Sequence, residues 1–297
     1  MNPHLTHVSL FLRVFGAVAA GWWLLTLAAG PAHAETNDGK ILLRYHFQPN
    51  EEVLTKVVHI ATTTTKIRGS TQESKSHAIS TKVWRIKDID KDGNIYFEHS
   101  VADVEMWQKV TGRDEVRYNS RTDEKPPAQY EHAAKSLGTV IAELKISPTG
   151  KILERKNNLP QHDMGLGPIA TPLPDEPIEV GQRWSVPSEV TVRIGDKFKR
   201  INTRKMFKLV SVKTGVATIE VKTQVLTPVD NPEIDAQLMQ QLTNGSMKFD
   251  IDAGRIISKQ MDWDESVVGF SGADSMMKYL GRFTEEITPT ATARLTP

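Results

Sequence analysis

Polar and apolar residues alternate through most of this chain, and one alternating unit occurs twice. Residues 81–107, TKVWRIKDIDKDGNIYFEHSVADVEMW, run into a turn at Asp92-Gly93 and out again; residues 203–225, TRKMFKLVSVKTGVATIEVKTQV, do the same around Thr214-Gly215. A period of two on both sides of a Gly-containing turn predicts a long β-hairpin in each place. Ahead of the first copy, Ile41, Leu43, Tyr45 and Phe47 share one face of a predicted strand, with Arg44 and His46 on the other. The Val- and Thr-rich run 52–68 reads as a second strand rather than a linker, because its β-branched residues favour extended backbone. A polar turn over 69–76 then leads into the hairpin.

The pattern changes to helical spacing at two points. Pro127, Tyr130, Ala133, Ala134 and Leu137 predict a short helix that Gly138 ends, and a hairpin over 139–156 follows it, closed by Ser147-Pro148-Thr149-Gly150. In the second half the order returns: strands at 178–184 and 190–194, a turn at Gly195-Asp196, and the second hairpin copy. A helix comes next, with Asn231 as N-cap, Pro232 at its first position, Ile234, Leu238 and Leu242 on one face and Gly245 as its stop. The hairpin 247–263 and a last strand at 275–286 complete it. Two rounds of strand, hairpin, helix and hairpin imply a duplicated module. The expected division is a first β module over 35–158, a Pro/Gly-rich connection over 159–177, a second module over 178–288 and a disordered tail over 289–297.

The first 34 residues stand apart. Arg13, an apolar run over 14–30 and Ala32-His33-Ala34 form the three-part pattern of a secretory signal peptide, with cleavage after Ala34. The protein is therefore expected to be exported, periplasmic or extracellular, and not an integral membrane protein once cleaved. The sequence contains no cysteine, which excludes a disulfide framework and thiolate metal sites. Arg13 is the only charged residue removed, and 37 basic residues less one leave 36 against 36 acidic. That balance argues against a nucleic-acid partner.

Candidate chemistry is sparse. Asp88, Asp90 and Asp92, with Gly93 at the bend, match the first half of a calcium loop, but position twelve is His99, with Glu98 one place early. The segment reads first as an acid-rich hairpin turn, with those three aspartates as calcium candidates. His46, His59 and His99 all lie on predicted strands and could converge on a metal; His162-Asp163 is the one adjacent acid–base pair in a predicted loop. The sequence around Ser271 departs from G-x-S-x-G, and Ser275-x-x-Lys278 and Lys213-Thr214-Gly215 occur in the reverse of the penicillin-binding order. No catalytic constellation and no cofactor motif emerges, so an enzyme, with a hydrolase as its form, ranks last. Lys197, Lys199, Arg200, Arg204 and Lys205 make one basic cluster, read as a charged strand face. Trp84, Trp107, Trp184 and Trp263 all fall in predicted strands, where they pack a core or line a ligand cavity.

Leu43-x-Tyr45-x-Phe47, Lys82-Val83-Trp84, Asp92-Gly93-Asn94, Met106-Trp107 and Val180-Gly181-Gln182-x-Trp184 together resemble a family of uncharacterised secreted proteins common in planctomycete bacteria. The resemblance spans residues 41–288 and implies a domain of unknown function with no assigned site. Long one-faced strands also resemble, at the level of fold, periplasmic lipoprotein and lipid carriers whose curled sheets wrap a greasy cavity. The expected fold is mainly antiparallel β, its two repeated halves forming a curled half-barrel or two packed barrel-like modules, with one short helix each. The expected function is non-catalytic binding of a lipid or other apolar small molecule in a concave β face. The alternative is a structural module with a self-filled core that binds another envelope protein.

Overall fold

A computed structural model describes residues 39–159 and 169–288. Twelve strands carry the chain: β1 (Glu52–Ile67), β2 (Ser70–Ile89), β3 (Ile95–Val110), β4 (Val116–Asn119), β5 (Val140–Ile146), β6 (Ile152–Asn157), β7 (Arg183–Ile194), β8 (Lys197–Lys213), β9 (Val216–Val225), β10 (Asn244–Asp250), β11 (Arg255–Val268) and β12 (Met276–Ile287). All belong to one antiparallel sheet in the order β6-β5-β3-β2-β1-β12-β11-β10-β9-β8-β7, with β4 paired to β3 outside that path. All neighbours but two are consecutive in the chain. One exception is β3 with β5, which pair past β4 and helix α1. The other is the seam where β1 meets β12, in register from Thr55–Ile287 to Lys66–Met276, which joins the first and last strands of the main path into a single curled sheet.

The sheet does not close. Its two edges are β6 and β7. The first is blunted by exposed Glu154, Arg155 and Lys156, and the second carries Pro187 in mid-strand, a residue an edge tolerates because one side of its backbone needs no donor.

Side chains of one face build the core. Trp84, Ile86, Phe97, Leu144, Phe207, Ile219, Met247, Phe249, Met261 and Phe283 form a continuous buried cluster drawn from nearly every strand. The helices lie over its margins. Helix α1 (Glu131–Ser136) and the 3-10 turn Ala128–Tyr130 cover Val101, Val104 and Ile141, with Tyr130 and Ala133 buried. Helix α2 (Pro232–Leu238) buries Ile234 and Leu238 against Val192 and Ile201, and Met239 in the following 3-10 turn reaches Ala61 and Tyr279. Asn231 caps α2 as expected, its side-chain oxygen accepting from the Glu233 N–H at 2.8 Å. No helix among the described residues is long and apolar enough to cross a membrane.

Several boundaries differ from the sequence reading, each for a physical reason. Residues 41–47 alternate as expected, with Leu43, Tyr45 and Phe47 buried, but they form no strand of the sheet. Ile41 makes a single bridge to Ile178, while the Tyr45 and His46 N–H groups donate to the carbonyls of Pro148 and Gly254 in two hairpin turns. The turn expected over 69–76 is only Arg68-Gly69, both at positive φ, so β2 resumes at Ser70. Of the strand expected at 178–184 only Arg183 and Trp184 are strand; Ile178 makes an isolated bridge, a turn closed by the Gln182 N–H on the Glu179 carbonyl follows, and β7 then runs from Arg183 straight through Pro187 to include 190–194. Helix α2 ends at Leu238, and Gly245 lies inside β10 instead of stopping it. The signal peptide with Ala34, the tail 289–297 and the pair His162-Asp163 lie outside the described residues.

Candidate functional site in the concave face

Two extended segments lie across the inner face of the curled sheet. The first is 41–48. Its buried Tyr45 and Phe47 stack at 6.2 Å between centroids, and they continue on one side to Trp84, at 6.1 Å from Phe47, and on the other to Phe249, at 5.8 Å from Tyr45. The second is 169–178, which contributes Leu173 and Ile178 to the same core. The two touch where Ile41 and Ile178 bridge, where the Arg44 guanidinium donates to the carbonyls of Pro174 and Asp175, and where the Tyr45 hydroxyl donates to the Thr171 carbonyl at 3.1 Å. Trp184 Nε1 on β7 donates to the Pro172 carbonyl at 3.1 Å, and the Leu173 N–H donates to the Thr149 carbonyl at 2.8 Å. The two segments form a cover over the sheet that is apolar beneath and hydrogen-bonded along its length.

The close approach of the cover depends on two turns. A Cβ at Gly254 would sit 2.5 Å from the His46 Cβ, and one at Gly150 would sit 2.6 Å from the Thr171 carbonyl oxygen. Both positions must stay bare.

Between cover and sheet remains a cavity of about 50 Å³, whose walls include Tyr45, Phe47, Trp84, Lys82, Lys259 and Glu285. Its polar corner is a charge cluster. Lys82 on β2 and Lys259 on β11 each donate to a different oxygen of Glu285 on β12, and all three side chains are buried. Lys82 also lies 5.8 Å from the centre of the Trp84 ring and Lys259 lies 5.3 Å from that of Phe283. Burial alone would raise the Glu285 pKa, but the adjacent ammonium groups of Lys259 and Lys82 overcome it and hold the carboxyl below its ordinary value. Desolvation lowers Lys82 despite the pull of Glu285, and it lowers Lys205 on β8, with Lys259 adding repulsion. His99, also buried, is pushed down to about 4 by burial first and by Lys82 second, so it is neutral at pH 7. The indole N–H groups of Trp84 and Trp263 and Nδ1 of His99 are buried without a hydrogen-bond partner.

Of the four candidate tryptophans, Trp84 lines this cavity and stacks on Phe97 at 4.4 Å; Trp184 stacks on Phe207 at 5.2 Å under the second cover segment. Trp263 lies farther along the same face, edge-on to Tyr279 and His59. Trp107 is near the far end of β3, where its indole and Arg117 bear on Glu115. Asp90 is engaged within its own turn, accepting from the Asp92 and Asn94 N–H groups and from the Asn94 side chain, with Lys145 at 3.2 Å. Asp88 ends its strand beside Ile89, and Asp92 is exposed in the turn. Among the described residues no three His, Asp or Glu side chains gather as a metal site, and His46, His59 and His99 do not converge. In the basic cluster Arg200 pairs with Glu189 and Arg204 with Gln224, whereas Lys205 turns inward.

The functional signal missed in the sequence is charge at apolar phase. Glu285 alternates in step with Phe283 and Ile287, Lys82 with Trp84 and Lys259 with Met261, so each had to point inward.

No family model matches the chain, and no curated protein matches it. Among solved structures it is similar to lipovitellin, described for its lipid–protein interactions, at 10% identity and a TM-score of 0.47 over 85% of this chain and 26% of that one. The chain thus spans about a quarter of the lipovitellin chain. It is also similar to a DUF1329 family protein from Desulfovibrio piger, at 13% identity and a TM-score of 0.16 over 76% of this chain and 83% of that one.

Proposed function

We propose that this is a non-catalytic, exported envelope protein that binds a lipid or other apolar small molecule in the concave face of its sheet. The observation that carries this is the cover. The inner face of the open sheet is lined by aromatic and aliphatic side chains, and what shields it is two extended segments rather than further strands. Burial of Leu43, Tyr45 and Phe47 holds the first segment at about 2 kcal/mol per side chain. An alkyl chain laid in the same trough recovers about 0.8 kcal/mol per buried methylene, so roughly eight methylenes offset the apolar part of that cost, while the cover's hydrogen bonds exchange for bonds to water. At about 50 Å³ the cavity itself has room for a head group but not for a chain, and binding therefore requires the cover to yield. The three-part N-terminal pattern and the resemblance to secreted planctomycete proteins support export.

The same small cavity favours a second reading, the interaction module whose core fills itself. Titration with Nile red, a neutral apolar dye, separates the two. A ligand-binding trough gives saturable fluorescence in the natural chain and tighter binding in Leu43→Ala, which thins the cover. Absence of binding in both chains supports the self-filled module.

A further inference from the structure

The polar corner of the cavity specifies the head of the ligand, an inference that rests on the concave-face reading above. Two lysines meet there, Lys82 and Lys259, and among the described residues the carboxylate paired with both is Glu285; Lys205 on β8, outside the cavity wall, is near enough to Lys259 to be repelled by it. Arg255, on the same wall, is already matched by Glu51 at 2.5 Å. A cross-link between strands needs one lysine for each carboxylate. Here the cations outnumber it, in a place where each unmatched charge is expensive to keep from water. The indole N–H of Trp84, on the same cavity wall, adds a donor with no acceptor. Ammonium groups in surplus and a free N–H all require the same complement, a group with negative oxygens.

We propose that this corner receives the acidic head of an amphiphile, a carboxylate or phosphate on an alkyl chain. Lys82 and Lys259 are its charge partners, and the chain follows the aromatic trough that Tyr45 and Phe47 now fill. Glu285 acts as the internal stand-in that holds the lysines in place while the site is empty. It competes with the ligand for them.

The test compares laurate with 1-dodecanol, which share a chain and differ in the head, by displacement of Nile red from the full chain at pH 7. The site predicts that laurate binds at least about tenfold more tightly than dodecanol, the scale of one charge-assisted hydrogen bond. Lys259→Met leaves the balanced pair Lys82–Glu285 and should bring that ratio towards one. Glu285→Gln removes the competitor and should raise it, with laurate increasing the melting temperature of this variant more than that of the natural chain. A ratio near one in the natural chain, or a ratio that neither substitution moves, overturns the assignment while leaving the apolar trough intact. If neither laurate nor dodecanol displaces the dye, or the dye itself does not bind, the concave-face reading fails and the head assignment falls with it.

Discussion

At the scale of single residues, the interior departs from a simple greasy core. Lys82, Lys259 and Glu285 are each less than a tenth exposed, at positions where alternation alone would put apolar side chains. His99 shares that environment and has a measurable consequence. Its pKa is depressed from 6.5 to about 4, so between those values the unfolded chain takes up a proton that the folded chain refuses. Stability therefore falls as pH drops through that window, by about 1.4 kcal/mol per unit at most and roughly 3 kcal/mol across it. Glu285 works at more acidic pH. Its lowered pKa contributes stability that is present above the ordinary glutamate value and lost as pH falls through the lower folded value. His99→Leu should remove the first effect and leave that of Glu285, and the bond to the Val83 backbone that leucine forfeits costs the same stability at every pH at which the histidine is neutral. Thermal melts at pH 7.0, 5.5 and 4.5 check this. The variant should gain on the natural chain as pH falls from 7.0 to 4.5, and parallel curves would refute the assignment.

At the scale of elements, contacts between neighbouring strands are close enough to dictate residue type. A Cβ on Gly245 in β10 would lie 2.1 Å from the Gln260 carbonyl oxygen and 2.8 Å from the Met261 Cα, both backbone atoms of β11. Gly281 in β12 is crowded too, but at 3.0 Å and by ring atoms of Tyr279 and Trp263 that can shift. Gly245→Ala should therefore cost about 3 kcal/mol or more and Gly281→Ala about 1 kcal/mol, read from urea unfolding. Equal losses would mean that β10 can move away from β11. The same contrast explains what was legible in the sequence. Strands β1 to β3, β5, β6 and β8 to β12 and the two helix starts follow from alternation, β-branched runs, Pro127 and Asn231, all local signals. Gly245 looked like a helix stop because its real constraint comes from residues 260 and 261, which the local pattern does not reveal. Residues 41–47 looked like a strand because burial of every second side chain is the same in a cover segment as in a sheet. Only the destination of its N–H groups distinguishes them. Charge at apolar phase was visible at positions 82, 259 and 285, but that these three meet depends on the pairing of β12 with both β1 and β11.

At the scale of the molecule, the architecture joins the first and last strands of the main path of one sheet. The seam of β1 with β12 turns two meanders into one curled sheet whose two edges remain unpaired to each other, and the chain crosses from β6 to β7 by the segment that supplies half of the cover. A closed barrel would have a fixed interior. We propose that an open sheet shielded by two strips of its own chain has an interior that a ligand can share, and this is the central claim. It is tested most directly by native mass spectrometry of the protein expressed with its N-terminal segment and purified without detergent. The account predicts a stoichiometric adduct that is released by organic extraction and proves to be a lipid with an acidic head. A bare polypeptide mass that stays bare after incubation with laurate would contradict it, and would identify the cover as a permanent part of a self-filled core.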